Sequence, residues 1–154
     1  MDKYNFNLAE ANIFKDELFL MPKEVSYDLT GSYTYPFLLI FGGEMPISDT
    51  LQIDFLNSIL AQIPNQEKLT LANIGTINCV NPDSLLNLMR KFKPKYILTF
   101  ACEEMIFGLP KDKFIPIILG EVGIIHASSI DALKNNKDER QQLWASMKII
   151  FKIK

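Results

Sequence analysis

Three positions along the chain carry groups able to do chemistry, and each stands in or just after a short apolar run. His126 is the sole histidine, and it opens a hydroxyl-rich turn, His126-Ala127-Ser128-Ser129. Glu44 follows Gly42-Gly43 directly, which sets a carboxylate beside a flexible turn. Asn73 stands in Leu71-Ala72-Asn73-Ile74, where its amide offers both a donor and an acceptor. A histidine after a strand can move a proton, yet it more often serves as a hydrogen-bonded structural residue. In the same way Glu44 reads equally as a solvated loop carboxylate or a partner for a helix start, and Asn73 as a residue that satisfies turn backbone.

Several other chemistries are excluded or weak. Cys79 and Cys102 lie far apart without a CxxC pair, and one histidine cannot complete a zinc site with them. No metal or cofactor is expected. Gly42-Gly43 could cradle a phosphate at a helix start, but the spacing is neither GxGxxG nor that of a Walker A loop. His126 beside Ser128 has no supporting motif for a nucleophile. Lys91, Lys93 and Lys95 form the one dense basic run, and it reads as a solvated loop. A net charge of −2 supplies no general field toward nucleic acid or anionic membrane, so any DNA contact is expected to be weak or indirect. No apolar run reaches the roughly 18 residues of a membrane span, and the start lacks a leader pattern. A cytoplasmic protein with reduced thiols is expected.

The elements that must hold these residues alternate between strand and helix. Phe37 to Phe41 predicts a strand buried on both faces. Asp49 or Thr50 caps a helix with Leu56, Ile59, Leu60 and Ile63 on one face, stopped by Pro64. Leu69 to Ile74 predicts a second strand. Asn81-Pro82 starts a helix along which Leu85, Leu88, Met89 and Phe92 share a face, and Tyr96 to Phe100 follows as a third strand. Ala101 to Phe107 predicts a short helix, and Phe114 to Leu119 an extra strand that Pro116 confines to an edge. Val122 to Ile125 is the fourth buried strand. Asn136 with Glu139 resembles a capping box for a last helix carrying Arg140, Leu143, Trp144, Met147 and Phe151 on one side.

This order predicts one α/β domain over residues 31–154, a three-layer α/β/α sandwich around a mostly parallel four-stranded sheet. Its ligand crevice would lie past the carboxyl ends of the strands. Residues 1–30 differ. They scatter Leu8, Ile13, Phe14, Leu18 and Phe19 among charges, and predict an arm that docks on its own domain or on a partner.

From residue 37 onward the order of pieces resembles the uracil-DNA glycosylase superfamily. Gly43-Glu44-Met45-Pro46 is similar to that family's turn after the first strand, Asn73 matches its base-reading asparagine, and His126-Ala127-Ser128 matches its closing His-Pro-Ser. The resemblance implies that Glu44 would polarise the attacking water, Asn73 would read a flipped base and His126 would stabilise the leaving group. The binding set would be Gly42, Gly43, Glu44, Asn73, His126 and Ser128. The chain departs from that family in important places. Ile47 replaces a glycine, no aromatic stacking residue stands between Ser48 and Phe55, and Ala127 replaces a proline.

The chain also resembles the psi-subunit family of DNA polymerase III, a degenerate branch of the same fold. Leu8-Ala9-Glu10-Ala11-Asn12-Ile13-Phe14 is similar to that family's amino-terminal pattern, and Leu133 to Trp144 to its closing one. This resemblance implies a non-catalytic replication accessory. Its arm would bind clamp-loader subunits, and a face of the domain would bind a chi-like protein. The alternatives are an active or residual uracil-DNA glycosylase, with Glu44, Asn73 and His126 as its catalytic set, and an orphan interaction domain of the same fold.

Overall fold

A computed structural model describes residues 27–42, 50–65 and 67–153. Gly43, Glu44 and the arm residues Leu8, Ile13, Phe14, Leu18 and Phe19 lie outside the described residues. Within them the elements are β1 Phe37–Gly42, α1 Thr50–Leu60, β2 Gly75–Cys79, β3 Asp83–Ser84, α2 Leu85–Phe92, β4 Tyr96–Phe100, β5 Ile106–Phe107, β6 Ile117–Leu119, β7 Val122–Ala127, α3 Ile130–Asn135 and α4 Lys137–Phe151.

The main sheet is five-stranded in the order β2-β1-β4-β7-β6, and β3 with β5 makes a separate two-stranded sheet. β1 pairs in parallel with β2 and β4, β4 pairs in parallel with β7, and only the edge strand β6 runs antiparallel. The register aligns Ile77, Ile40, Thr99 and His126 in one row across the sheet. The sheet therefore has five strands rather than four, because the edge strand expected over Phe114 to Leu119 joins it as β6, shortened to Ile117–Leu119. It begins directly after Pro116, because an edge position spares the missing N–H.

Both faces of the sheet are buried, which is why its central strands are apolar without alternation. Phe37, Leu39, Phe41, Leu98 and Phe100 pack under α1, α3 and α4, while Leu38, Ile40, Ile77 and Ile97 pack under α2. The predicted helix faces are the ones buried: Leu56 and Leu60 of α1, Leu85 and Leu88 of α2, Leu143 and Met147 of α4. Trp144 is only half-buried, with the Lys148 ammonium over its ring at 5.9 Å from the centroid. Asn136 caps α4 by accepting from the Glu139 N–H. Arg140 turns back and donates to the carbonyls of Leu133 and Lys134, satisfying the end of α3.

Three local predictions need correction. The second strand runs Gly75–Cys79, not Leu69 to Ile74. Gly75 opens the strand by pairing with Leu38 of β1, and a Cβ there would meet the Tyr33 and Leu29 side chains at 2.8 and 2.9 Å. The helix expected from Pro82 begins later, with Ser84 as its cap accepting from the Asn87 N–H. Asp83 and Ser84 are drawn into pairing with Ile106 and Phe107. The short helix expected over 101–107 is a single turn, in which the Cys102 carbonyl accepts from Met105 and Ile106, followed by β5.

The described end of the predicted arm, residues 27–30, lies against the domain. Thr30 bridges Thr76 at the β2 edge. Tyr27 packs beside Phe92 and donates a hydrogen bond to the Asp83 carboxylate, which together with burial pushes its phenol well above the usual value.

Candidate functional site

The row that ends in His126 leads to the carboxyl ends of β1, β4 and β7. Two crossovers leave β1 and β2 in opposite senses: α1 covers one face on the way to β2, and α2 covers the other on the way to β4. The strand order therefore reverses between β1 and β4, the place where an open α/β sheet opens a ligand crevice. Gly42 ends β1 at this point, and Ala101 follows β4.

Among the described residues the ends of β1 and β4 approach each other closely there. A Cβ on Gly42 would stand 2.1 Å from the Ala101 carbonyl oxygen, so only glycine admits that approach. Ala101 takes a left-handed φ of 55° and donates its N–H to the Ala127 carbonyl at 3.0 Å. Beneath them the rings of Phe41 and Phe100 stack at 4.9 Å between centroids.

His126 is 1% exposed. Its Nδ1 lies 2.9 Å from the hydroxyl of Thr99, itself fully buried. Its Nε2 has no hydrogen-bond partner and faces Glu103 Oε2 at 3.7 Å. Glu103 in turn pairs with Lys113 at 3.0 Å. Burial holds the imidazole below its ordinary value of 6.5, and Lys113 adds to that effect while Glu103 opposes it. Burial raises the Glu103 carboxyl, but the turn backbone, Lys113 and His126 together outweigh it and leave it below its usual value.

Thr99, Glu103 and Lys113 are the members of this cluster that sequence reasoning missed. Thr99 sits inside an apolar strand one residue from its end. Only the register reveals that it faces the histidine.

Asn73 does not join them. It precedes β2 at the amino end of the sheet, and β2 and β7 are three strand spacings apart, roughly 14 Å. Its carboxamide oxygen accepts from the Thr70 N–H and faces the Thr70 hydroxyl, holding the 70–73 turn. The expectation that Asn73 ends a strand on the His126 side is corrected by the shift of β2. Ser128 is buried, and it is Ser129 that caps α3 by accepting from the Ala132 N–H.

Elsewhere, Phe55, Ile59, Arg140, Leu143, Trp144 and Met147 line a small apolar groove between α1 and α4, with a volume of about 60 Å³. That is far below the several hundred Å³ of a typical ligand pocket. Among the described residues no group of histidine, cysteine and acidic side chains is placed to hold a metal, and no helix is long and apolar enough to cross a membrane.

No protein-family model matches the chain, and no curated protein is significantly similar to it.

Proposed function

We propose that the chain is a non-catalytic interaction domain on a uracil-DNA glycosylase-like sandwich, a replication accessory of the DNA polymerase III psi-subunit type. In this reading the amino-terminal arm contacts clamp-loader subunits and a face of the domain contacts a chi-like protein.

The observation that carries the non-catalytic part is the separation of Asn73 from His126. Base excision needs the base reader and the leaving-group stabiliser around one base. These two residues stand at opposite ends of the sheet, and Asn73 is committed to the Thr70 turn. The approach of the Ala101 carbonyl to Gly42 is in keeping with this reading, because it brings the ends of β1 and β4 together at the switch point. An interaction role is favoured by exposed Val80, Leu86 and Phe107 near β3 and β5, since Phe107 alone leaves 66% of its surface open.

Two experiments test the reading. Incubation of the full chain with a uracil-containing oligonucleotide should release no uracil, and release abolished by Glu44→Gln or His126→Ala would overturn the non-catalytic role. Pull-down with a clamp-loader ATPase subunit should capture the full chain and lose it when residues 1–26 are removed. Failure of the full chain to associate would overturn the psi-type assignment.

A further inference from the structure

Residues 102–113 run between two pinned points on either side of His126, and between them Ile106 and Phe107 are fixed by pairing with β3, which leaves 108–113 as the stretch without strand partners. At one end Ala101, at a φ of 55°, donates to the Ala127 carbonyl at 3.0 Å. At the other, Phe114, at a φ of 64°, donates to the carbonyl of His126 itself at 2.8 Å. The Phe114 carbonyl also accepts from the Ser146 hydroxyl of α4. Non-glycine residues in this region are strained and persist only where surroundings hold them. Near both pins the segment is closed by one ion pair, Glu103 to Lys113, and that pair lies over the unpartnered Nε2 of His126.

We propose that His126, Glu103 and Lys113 form an acid-sensitive clasp that ties the 108–113 stretch to the turn after β4, over the carboxyl end of the sheet. Among the described residues Glu103 and Lys113 are the charged groups that face the ring, and Thr99 is its one neutral partner. While the imidazole is neutral, Glu103 is free to pair with Lys113. When Nδ1 and Nε2 both carry protons, the buried cation attracts the Glu103 carboxylate and repels the Lys113 ammonium. Glu103 then exchanges one cation for the other, and the 111–113 stretch is released. Glu103 can make this exchange because its side chain is 45% exposed and needs only a small swing from its 3.7 Å approach. The clasp does not depend on the replication reading.

The chain has one histidine, so its ring resonance is unambiguous in a pH titration of the isotopically labelled full-length protein. The ring should titrate below 6.5, and the amides of Glu103, Lys113 and Phe114 should shift with the same midpoint. In Glu103→Gln, a change at a half-exposed turn, the ring midpoint should fall further and the Lys113 amide should no longer follow it. In Lys113→Ala the ring midpoint should rise. The clasp is refuted if the Lys113 and Phe114 amides ignore the histidine midpoint in the wild type. It is refuted equally if the protein unfolds globally before the ring titrates, because the histidine would then report only the fold.

Discussion

The Thr99 hydroxyl and the Nδ1 atom of His126 meet at 2.9 Å inside the sheet, joining neighbouring strands through side chains as well as backbone. The surroundings decide the direction of this bond. If Nδ1 carried the proton, the bare Nε2 lone pair would face the Glu103 carboxylate. With Thr99 donating to Nδ1, the Nε2–H points toward that carboxylate, which is the favourable arrangement.

Thr99→Val keeps the shape of the side chain and removes the donor. Nδ1 is then left buried without a partner, a loss of about 1–3 kcal/mol. Urea denaturation should show a lower midpoint with an unchanged slope. An unaltered midpoint would mean that the hydroxyl contributes nothing to holding the ring.

The pH dependence of stability follows from the depressed histidine. Its folded value lies below the unfolded 6.5, so the unfolded chain binds a proton first as the solution is acidified. The contribution is fully present above 6.5 and is lost as pH falls through the folded value. Glu103, also depressed, extends the loss below its ordinary 4.5. Denaturation series between pH 7.5 and 5 should therefore show declining stability in the wild type and a flatter profile in His126→Gln. Equal slopes in the two proteins would remove His126 as the source.

How far the sequence foretold these relationships depends on the kind of signal each residue left. Phe37 to Phe41 and the faces of α1, α2 and α4 were legible because burial on a sheet or helix imposes a period that apolar residues print directly. The second strand lies later than its apolar run Leu69 to Ile74 suggests, because Gly75 and the polar Thr76 and Asn78 join the ladder with β1 and carry no apolar period. That shift of a few residues places Asn73 at the opposite end of the sheet from His126. The turn at 103–105 read as helix because the bonds that stop it, from the Asp83 N–H to the Met105 carbonyl and from Ala101 to Ala127, come from remote segments. Thr99 and Lys113 were invisible for the same reason.

Asn73→Ala provides a direct check on the reassigned asparagine. Its loss frees the Thr70 N–H from the partner that holds the turn, a cost of about 0.5–1.5 kcal/mol for a bond near the surface. The His126 ring resonance should stay where it is. A displaced His126 resonance would contradict the placement of the two residues at opposite ends of the sheet.

Gly42→Ala tests the close approach of β1 and β4 at their carboxyl ends. The added methyl would lie 2.1 Å from the Ala101 oxygen and 3.0 Å from its carbonyl carbon, and both are backbone atoms that cannot rotate aside. The strand ends must separate, at an overpacking cost of about 1–3 kcal/mol, and Ala101 must loosen its bond to Ala127. Hydrogen exchange should accelerate at the Ala101 amide ahead of the Ile97 and Leu98 amides inside the strand. Uniform acceleration along β4 would show instead that the whole strand, rather than its end, takes up the strain.

The two thiols offer the last prediction. Burial pushes the Cys79 thiol up to about 11 and the Cys102 thiol up to about 12. Cys102 further donates toward the carbonyls of Ile40 and Phe100, at 3.5 and 3.4 Å, and Cys79 toward that of Asn81 at 3.2 Å. The nucleophilic form is the thiolate, so at pH 8 the native protein should react with a disulfide reagent far more slowly than the same chain in denaturant. Both thiols should gain reactivity together across the unfolding transition, since both are fully buried in the same cluster under α2. Rapid modification of one thiol in the native protein would show that the cluster opens locally without global unfolding.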